Sequence, residues 1–350
     1  MRTKLIEKSL AASHCAVDGG NSRFLLAASH LAPGLALTIG IACLGTAFQH
    51  LSGLAALSPL VVSMVLGMAF RNTVGPVEAI RPGVAFSLKR ILRIGVILLG
   101  FQLTLTQIVS VGGRGIVSIV VILVATFVFT KWIGKLLGVD RKLAELIAAG
   151  TSVCGASAVI ATNTVTRARD EDVAYAIGCV TVFGSISMLL APLIGTGIGM
   201  DADAYGFWVG ASIHEVAQVV AAAFQGGDAA GQTGTIVKLG RVILLAPLIL
   251  VLGLIAMQTR ADRTNAGKAP VPWFVFGFLA VIVLNSFFAL PPELHGAVAA
   301  ITGFLLAVAL SAMGLETDIR QLRVKGLRPL ALGALASVQI SALSLVLVLL

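Results

Sequence analysis

Residues 115–130 read GIVSIVVILVATFVFT and contain no charged side chain. The apolar run around them extends over 115–138, and an α-helix needs about 20 such residues to cross the hydrocarbon core of a bilayer. Further apolar runs fill most of the chain, so the pattern predicts an all-α polytopic membrane protein with about 11 hydrophobic helices. The other runs lie at 31–50, 53–70, 91–110, 143–165, 172–199, 205–224, 232–257, 271–290, 294–313 and 327–350.

The composition leads to the same fold class. Of the 350 residues, 57% are hydrophobic and only 12% are charged, about half the charged fraction of a soluble domain. A soluble fold could not cover so much apolar surface, which excludes a cytosolic enzyme, a nucleic-acid-binding protein and a secreted domain. Four scattered cysteines without a C-x-x-C pair predict neither a disulfide framework nor a zinc site. We therefore expect no metal and no cofactor.

Basic residues between the apolar runs predict the orientation of the chain, because cytoplasmic loops are rich in Lys and Arg. They place the N-terminus in the cytoplasm and the C-terminus in the periplasm. The basic clusters lie at 71–90, 131–142, 260–268 and 320–328. Residues 1–30 are polar and lack the compact apolar core of a signal peptide, so we interpret them as a cytoplasmic tail. Residues 31–350 form the transmembrane domain.

Two segments, 143–165 and 205–224, are unusually polar and admit two topologies. If both cross the membrane fully, Arg167 and Arg169 are external. If both are broken or re-entrant, these two arginines stay in the cytoplasm. The distribution of positive charge favours the broken form.

Two pairs of stretches indicate internal repeats. GFQLTLTQIVSVGGRG (100–115) and GLETDIRQLRVKGLRP (314–329) align without gaps, and the charge map places the two loops on opposite sides of the membrane. This predicts inverted-topology repeats over about 31–165 and about 205–350; chance similarity between Leu- and Gly-rich segments is the alternative. GTSVCGASAVIA (150–161) also aligns with GASIHEVAQVVA (210–221), more weakly.

The first polar segment is a candidate substrate site. Glycines allow a helix to unwind, and the free N–H groups of the half-helix that follows bind anions without a fixed charge. Close packing of small-residue helices is the alternative. The candidate binding residues are Thr151, Ser152, Cys154, Gly155, Ser157 and Asn163.

Ionisable residues mark the second polar segment. His214 and Glu215 lie within an apolar run, and ionisable groups at membrane depth are costly and therefore functional candidates. An imidazole exchanges protons near neutral pH, which suggests proton coupling; a structural pair that caps broken backbone is the alternative. As a helix, this segment places His214 and Gln218 on one face, with Glu215 about 100° away. Gln218 is a further binding candidate.

Two other features bear on the chemistry. Lys238 and Arg241 lie one helical turn apart and either anchor a helix at the membrane interface or offset the charge of a bound anion. The string HEVAQ is similar to the zinc-protease motif H-E-x-x-H. It lacks the second histidine, which argues against a metalloprotease.

These motifs resemble the YeiH-like (UPF0324) family of bacterial inner-membrane proteins, which is described as a family of sulfate exporters. The resemblance rests on GTSVCGASAVIA (150–161), GASIHEVAQVVAA (210–222), KLGRVILLAP (238–247) and AMGLETDIRQL (312–322). It implies a multi-helix secondary carrier, distantly similar in architecture to cation–proton antiporters and bile-acid transporters. The positions that it marks as functional are Ser152, Cys154, Ser157, His214, Glu215 and Gln218.

We therefore expect a transporter of sulfate or a related oxyanion across the inner membrane, working by alternating access and coupled to protons. Its partners would be the small anion and the lipid bilayer, with no nucleic acid; carriers of this kind often form homodimers. The alternatives are a cation–proton antiporter, a carrier of organic anions or sulfonates, and an anion channel. Beyond Glu145, segment 143–165 has no acidic residue that would bind a cation. An enzymatic activity is not expected.

Overall fold

Helices account for most of the residues that the computed structural model describes, which are 29–49, 51, 58–110, 112–259, 273–288, 291–318 and 326–350. No β-strand occurs within these ranges. The helices are α1 Ser29–Gln49, α2 Pro59–Val74, α3 Arg81–Phe86, α4 Leu92–Leu99, α5 Leu105–Ser110, α6 Gly112–Leu136, α7 Arg141–Ser152, α8 Ala156–Thr166, α9 Asp170–Ile198, α10 Ala202–Ser212, α11 Val216–Ala223, α12 Asp228–Ile243, α13 Leu245–Thr259, α14 Trp273–Phe287, α15 Pro292–Glu316 and α16 Leu327–Leu349.

Six stretches of helix among the described residues are long and apolar enough to cross a membrane. They support a helical membrane protein but are fewer than the roughly 11 spans that the apolar runs predict. The reason is that several runs are divided: 143–165 falls into α7 and α8, and 205–224 into α10 and α11. The six stretches are Ser29–Gln49, Gly112–Leu136, Asp170–Ile198, Asp228–Ile255, Glu293–Glu316 and Leu327–Leu349.

Both polar segments are interrupted, as the sequence predicts. In the first, α7 ends at Ser152 and α8 begins after Gly155, whose φ of 72° is a conformation that glycine adopts readily. In the second, α10 ends at Ser212, and the backbone of Ile213 and Glu215 is extended. Whether either segment crosses the membrane fully stays a prediction.

Helices pack closely where glycines remove side chains from the contact. A Cβ on Gly67 of α2 would overlap the backbone of α15, and one on Gly210 of α10 would overlap the backbone of α12. Two groups of helices result. In one, α2 and α4 pack against α15, and α14 packs against α4; in the other, α6, α7, α9, α10, α11, α12 and α16 pack together.

The two interrupted segments lie where these groups meet. Contacts between the groups are few and involve mainly α11 against α2 and α15, and α12 against α14. The boundary is apolar: Cys154 and Val216, beside the interruptions, belong to the same core as Val96, Phe278 and Leu306 of the first group.

Several predictions fall on residues outside the described ranges. The predicted cytoplasmic tail at 1–30 is described only from Ser29, and the basic residues at 260–268 and 320–325 are not described. The orientation of the chain therefore stays a prediction.

Candidate functional site

One carboxylate joins the two interruptions. The Ala156 N–H, at the start of α8, donates to Oε1 of Glu215 at 2.5 Å. The Gln218 N–H in the first turn of α11 also donates to the Glu215 side chain, and Oε1 of Gln218 accepts from the Glu215 N–H at 3.3 Å. A side-chain acceptor at a helix start satisfies N–H groups that have no partner within the helix. Glu215 therefore caps two half-helices at once.

Gly155 makes this contact possible. A Cβ at this position would overlap the Glu215 carboxyl group. Its φ of 72° is also unfavourable for residues with a side chain. The glycine therefore lets the backbone turn and lets the carboxylate reach the α8 N-terminus.

Two buried cations form hydrogen bonds at the C-terminal ends of α7 and α10. Nζ of Lys238 donates to the carbonyl oxygen of Val153 at 2.7 Å and to that of Ile213 at 2.8 Å. These carbonyls follow α7 and α10, where the helix dipole is negative and a positive charge is favourable.

Arg241 completes this arrangement one turn later on α12. Its Nη2 donates to the carbonyl of Thr151 at 2.8 Å, and its Nε to that of Ser152 at 3.2 Å. Its Nη1 donates to carbonyls at the end of α10, those of Gly210, Ala211 and Ile213, at 3.2, 2.6 and 3.3 Å. The guanidinium thus spans the C-terminal ends of both broken helices. Lys238 and Arg241 are both fully buried, so the interpretation of these residues as anchors at the membrane interface is wrong.

The buried charges do not cancel. Lys238 and Arg241 are 0% exposed and Glu215 is 7% exposed. Two cations and one carboxylate leave one positive charge if His214 is neutral. The partial charges of the two helix C-termini and the two helix N-termini offset each other and do not change this balance. Burial of such charges is expensive, which makes the cluster a candidate functional site.

His214 lies in the second interruption and not in a helix. Its Nε2 is 3.1 Å from Oγ of Ser337 on α16, and its Nδ1 is buried without a hydrogen-bond partner among the described residues. The prediction that His214 and Gln218 share a helical face is wrong, because α10 ends at Ser212 and α11 starts at Val216. HEVAQ therefore does not form a zinc-protease helix.

Gln218 has a capping role in the structure. Besides its contact with Glu215, its Nε2 donates to the carbonyl of Thr181 at 3.0 Å and to Oγ of Ser185 at 3.2 Å. Both partners lie on α9, so the amide ties the start of α11 to a long neighbouring helix. Sequence reasoning missed Ser185 and Ser337, since single serines in apolar helices are common and give no signal.

The structure separates the other predicted residues into two groups. Thr151, Ser152 and Cys154 are buried at the first interruption, and Ser157 is exposed in the first turn of α8. Asn163 does not belong to the site: it lies two turns along α8, where its Oδ1 accepts from the Ala168 N–H at 2.8 Å. This bond ends the helix, which is why a polar residue stands there.

A groove of about 410 Å³ adjoins the second interruption. It lies between α9, α10 and α16, and its walls are mostly apolar, with Trp208, Ile213 and Ser337 among them. It brings the hydrogen-bond partner of His214 close to the surface. No group of three or more His, Cys, Asp or Glu side chains that could hold a metal ion occurs in the described part of the chain.

Comparisons with known proteins agree with the motifs. The profile of the family described as conserved hypothetical protein 698 matches residues 33–333. The UPF0324 membrane protein Atu0671 of Agrobacterium fabrum is 37% identical over 326 residues, covering 92% of this chain and 94% of that protein. The UPF0324 membrane protein PA5383 of Pseudomonas aeruginosa is 38% identical over 331 residues, covering 90% and 92%.

The UPF0324 inner membrane protein YeiH of Escherichia coli is 37% identical over 310 residues, covering 86% of this chain and 88% of that protein. No solved structure matches the chain. The relatives confirm the family resemblance that the motifs predict.

Proposed function

The chain belongs to the UPF0324 family of membrane proteins, and from the site it carries we propose that it is a secondary transporter of sulfate or a related small oxyanion. The transporter would move the anion by alternating access and couple this movement to protons. The observation that carries the proposal is the meeting of two half-helix N-termini at one buried carboxylate, Glu215.

The charge of the site favours an anion over a cation. Lys238 and Arg241 outnumber the one carboxylate, and their hydrogen bonds go to backbone carbonyls. Two helix N-termini add partial positive charge at the same point. A cation–proton antiporter would need spare carboxylates here, and Glu145, the acidic residue of α7, is paired with Lys131 at 2.8 Å.

The division into two helix groups supports alternating access. The group that carries both interruptions meets the group around α15 through few, mostly apolar contacts. A mostly apolar boundary leaves few hydrogen bonds to break when two packed bodies shift, among them the one from Nε2 of Gln232 on α12 to the carbonyl of Gln102 after α4 at 3.0 Å. Such a shift would open the site first to one side of the membrane and then to the other.

We also propose that the chain contains inverted repeats. Gly112 and Gly326 occupy aligned positions in the two similar stretches, and both have positive φ, 62° and 83°. Gly112 is the first residue of α6, and Gly326 directly precedes α16. The helices α6 and α16 pack against each other, as do α4 and α15. Pairwise packing of aligned helices is typical of a repeat whose halves face each other.

His214 and Glu215 are the groups that we propose for proton coupling, because they are the ionisable side chains of the second interruption. We place the protein in the bacterial inner membrane, by analogy with the relative that is named an inner membrane protein. A cytoplasmic N-terminus, a periplasmic C-terminus and a homodimer are part of this proposal.

Flux of radiolabelled sulfate into proteoliposomes tests the function. We expect saturable flux that responds to an imposed pH gradient and is lost in His214→Ala. The matched control is His30→Ala, since His30 is exposed at the start of α1 and lies outside the site.

Three results would change the proposal. Flux no higher than in empty liposomes would eliminate sulfate and direct the search to organic anions and sulfonates. Flux that does not saturate and follows the electrical potential alone would indicate a channel. Equal loss of flux in both histidine variants would remove the link between transport and the site.

A further inference from the structure

We infer that the Glu215 carboxylate is a built-in anion that occupies the place of the transported anion. An external anion would bind only when Glu215 takes up a proton and leaves the two helix N-termini. This inference rests on the proposed function, because it concerns the same pair of half-helices.

Glu215 binds the backbone as an oxyanion ligand would. Its carboxylate accepts the Ala156 N–H of α8 and the Gln218 N–H of α11. Free N–H groups at helix N-termini bind sulfate, phosphate and carboxylate in this same way. The carboxylate and a tetrahedral oxyanion would therefore compete for one set of donors.

The position can be reached from the surface. Ala156 is partly exposed and Ser157 is exposed, although the residues behind them, from Thr151 to Gly155, are buried. Gly155 adds no side chain between the carboxylate and the α8 N-terminus. Movement of the Glu215 side chain would therefore leave the Ala156 N–H open to an incoming anion.

An unpaired nitrogen in the same interruption independently indicates a ligand. His214 is 0% exposed, and its Nδ1 has no hydrogen-bond partner among the described residues. A buried polar atom without a partner is costly. The Ser337 hydroxyl donates its one proton to the Gly333 carbonyl at 2.8 Å, so Nε2 of His214 donates to Ser337 Oγ and Nδ1 is the unprotonated nitrogen. Protonation of the imidazole would turn Nδ1 into an N–H donor for a bound anion.

The charge balance explains why a proton accompanies the anion. Lys238 and Arg241 with ionised Glu215 leave one positive charge. Sulfate with neutral Glu215 would bring the cluster to zero, whereas sulfate and ionised Glu215 together would leave it negative and place two anions on the same donors. One proton is therefore taken up from water by the carboxylate for each doubly charged anion that binds.

Other titratable groups surround Glu215 and must be distinguished from it. Cys154 lies in the first interruption, His214 is the preceding residue, and Lys238 and Arg241 extend from α12. The helices α9 and α16 contribute hydroxyl groups to the cluster, those of Ser185 and Ser337.

Calorimetric titration of the purified full-length protein with sulfate tests the inference. Titrations across the neutral pH range, in buffers of different ionisation enthalpy, count the protons taken up per bound sulfate. In the wild type we expect about one proton, and affinity that rises about tenfold for each unit by which pH falls. In Glu215→Gln we expect no linked proton and affinity independent of pH.

Glu145→Gln is the matched control, because Glu145 is another carboxylate within the helical bundle and is paired with Lys131. We expect this variant to take up a proton as the wild type does. If Glu215→Gln fails to fold, the proton count in the wild type still tests the inference, because a count of zero overturns it.

Sulfate binding by the wild type without proton uptake would overturn the inference and leave the proposed function standing. Proton uptake that persists in Glu215→Gln would assign the linkage to His214 instead. A folded Glu215→Gln that no longer binds sulfate would show that the carboxylate is required and is not a competitor. No sulfate binding by either protein would contradict the proposed function for sulfate and this inference with it.

Discussion

The two helix interruptions contact each other but contribute different chemistry. Between α7 and α8, the chain offers mainly backbone groups, including the carbonyl of Val153 and the N–H of Ala156. Between α10 and α11, it contributes the ionisable side chains of His214 and Glu215. The first turns at a glycine with positive φ, whereas the second runs in extended conformation.

This difference suggests a division of roles between the interruptions. A backbone N–H keeps its proton at every pH, so the N–H groups of the first interruption can hold an anion but do not sense pH. The second can change its charge and can therefore link binding to pH. The cations of α12 serve both, since Lys238 and Arg241 bond to carbonyls from each.

The largest effect is expected where the two interruptions depend on one group. Lys238→Met removes a buried cation that bonds to carbonyls from both. Loss of one partner from such a buried charge cluster costs about 3–5 kcal/mol. We expect a large fall in melting temperature in detergent and loss of sulfate flux.

Lys135→Met is the control for this substitution, because Lys135 is exposed near the end of α6. It should change stability by less than about 0.5 kcal/mol. Equal stability of Lys238→Met and the wild type would contradict the role of Lys238 at both interruptions.

Gly155→Ala tests the first interruption alone. The added Cβ would meet the Glu215 carboxyl group, and the positive φ is strained for alanine. We expect a loss of about 1–3 kcal/mol in stability, measured by thermal unfolding in detergent, together with weaker sulfate binding. Gly178→Ala in α9 is the control, since a Cβ there meets no atom within 4 Å. Equal stability of the two variants would show that Gly155 is not needed for the contact.

Ser337→Ala tests the second interruption alone. It removes the hydroxyl beside His214 Nε2, which should cost about 1 kcal/mol and alter the response of sulfate flux to a pH gradient. Ser344→Ala is the control on the same helix, because the Ser344 hydroxyl donates to two carbonyls of α16 itself, those of Ile340 and Ser341. An unchanged pH response in Ser337→Ala would show that this hydrogen bond plays no part in coupling sulfate flux to protons.

Asn163→Ala is expected to have the smallest effect and tests how far the first interruption extends. Its side chain accepts from the Ala168 N–H at the far end of α8, so the variant should lose about 1 kcal/mol of stability or less. The KM for sulfate flux should be unchanged. A clear rise in KM would extend the binding site along α8.

The sequence reveals which segments are interrupted but not how they are held. Glycines and hydroxyls mark 150–157, and two ionisable residues within an apolar run mark the second site. Residues 211–215 contain no glycine or proline, so periodicity alone extends a helix through His214, and that prediction is wrong. The extended backbone there is stabilised by α12, which supplies cations for the carbonyls.

The roles of Lys238 and Asn163 illustrate the same limit. Spacing places Lys238 on an apolar helix, but its partners are 85 and 25 residues away in the chain. Asn163 shares the polar character of the first segment, yet its contact is local. Which polar residues converge is decided by packing between helices, and this cannot be read from spacing within one helix.

Protection of a thiol at the α8 N-terminus tests most directly whether an anion binds between the half-helices. In Ser157→Cys, modification by N-ethylmaleimide is followed at each cysteine by peptide mass spectrometry, with and without sulfate. Cys43, which is exposed on α1, is the internal control. The account predicts that sulfate slows modification at position 157, more strongly at acidic pH, and leaves Cys43 unaffected. Equal rates at position 157 with and without saturating sulfate would contradict it.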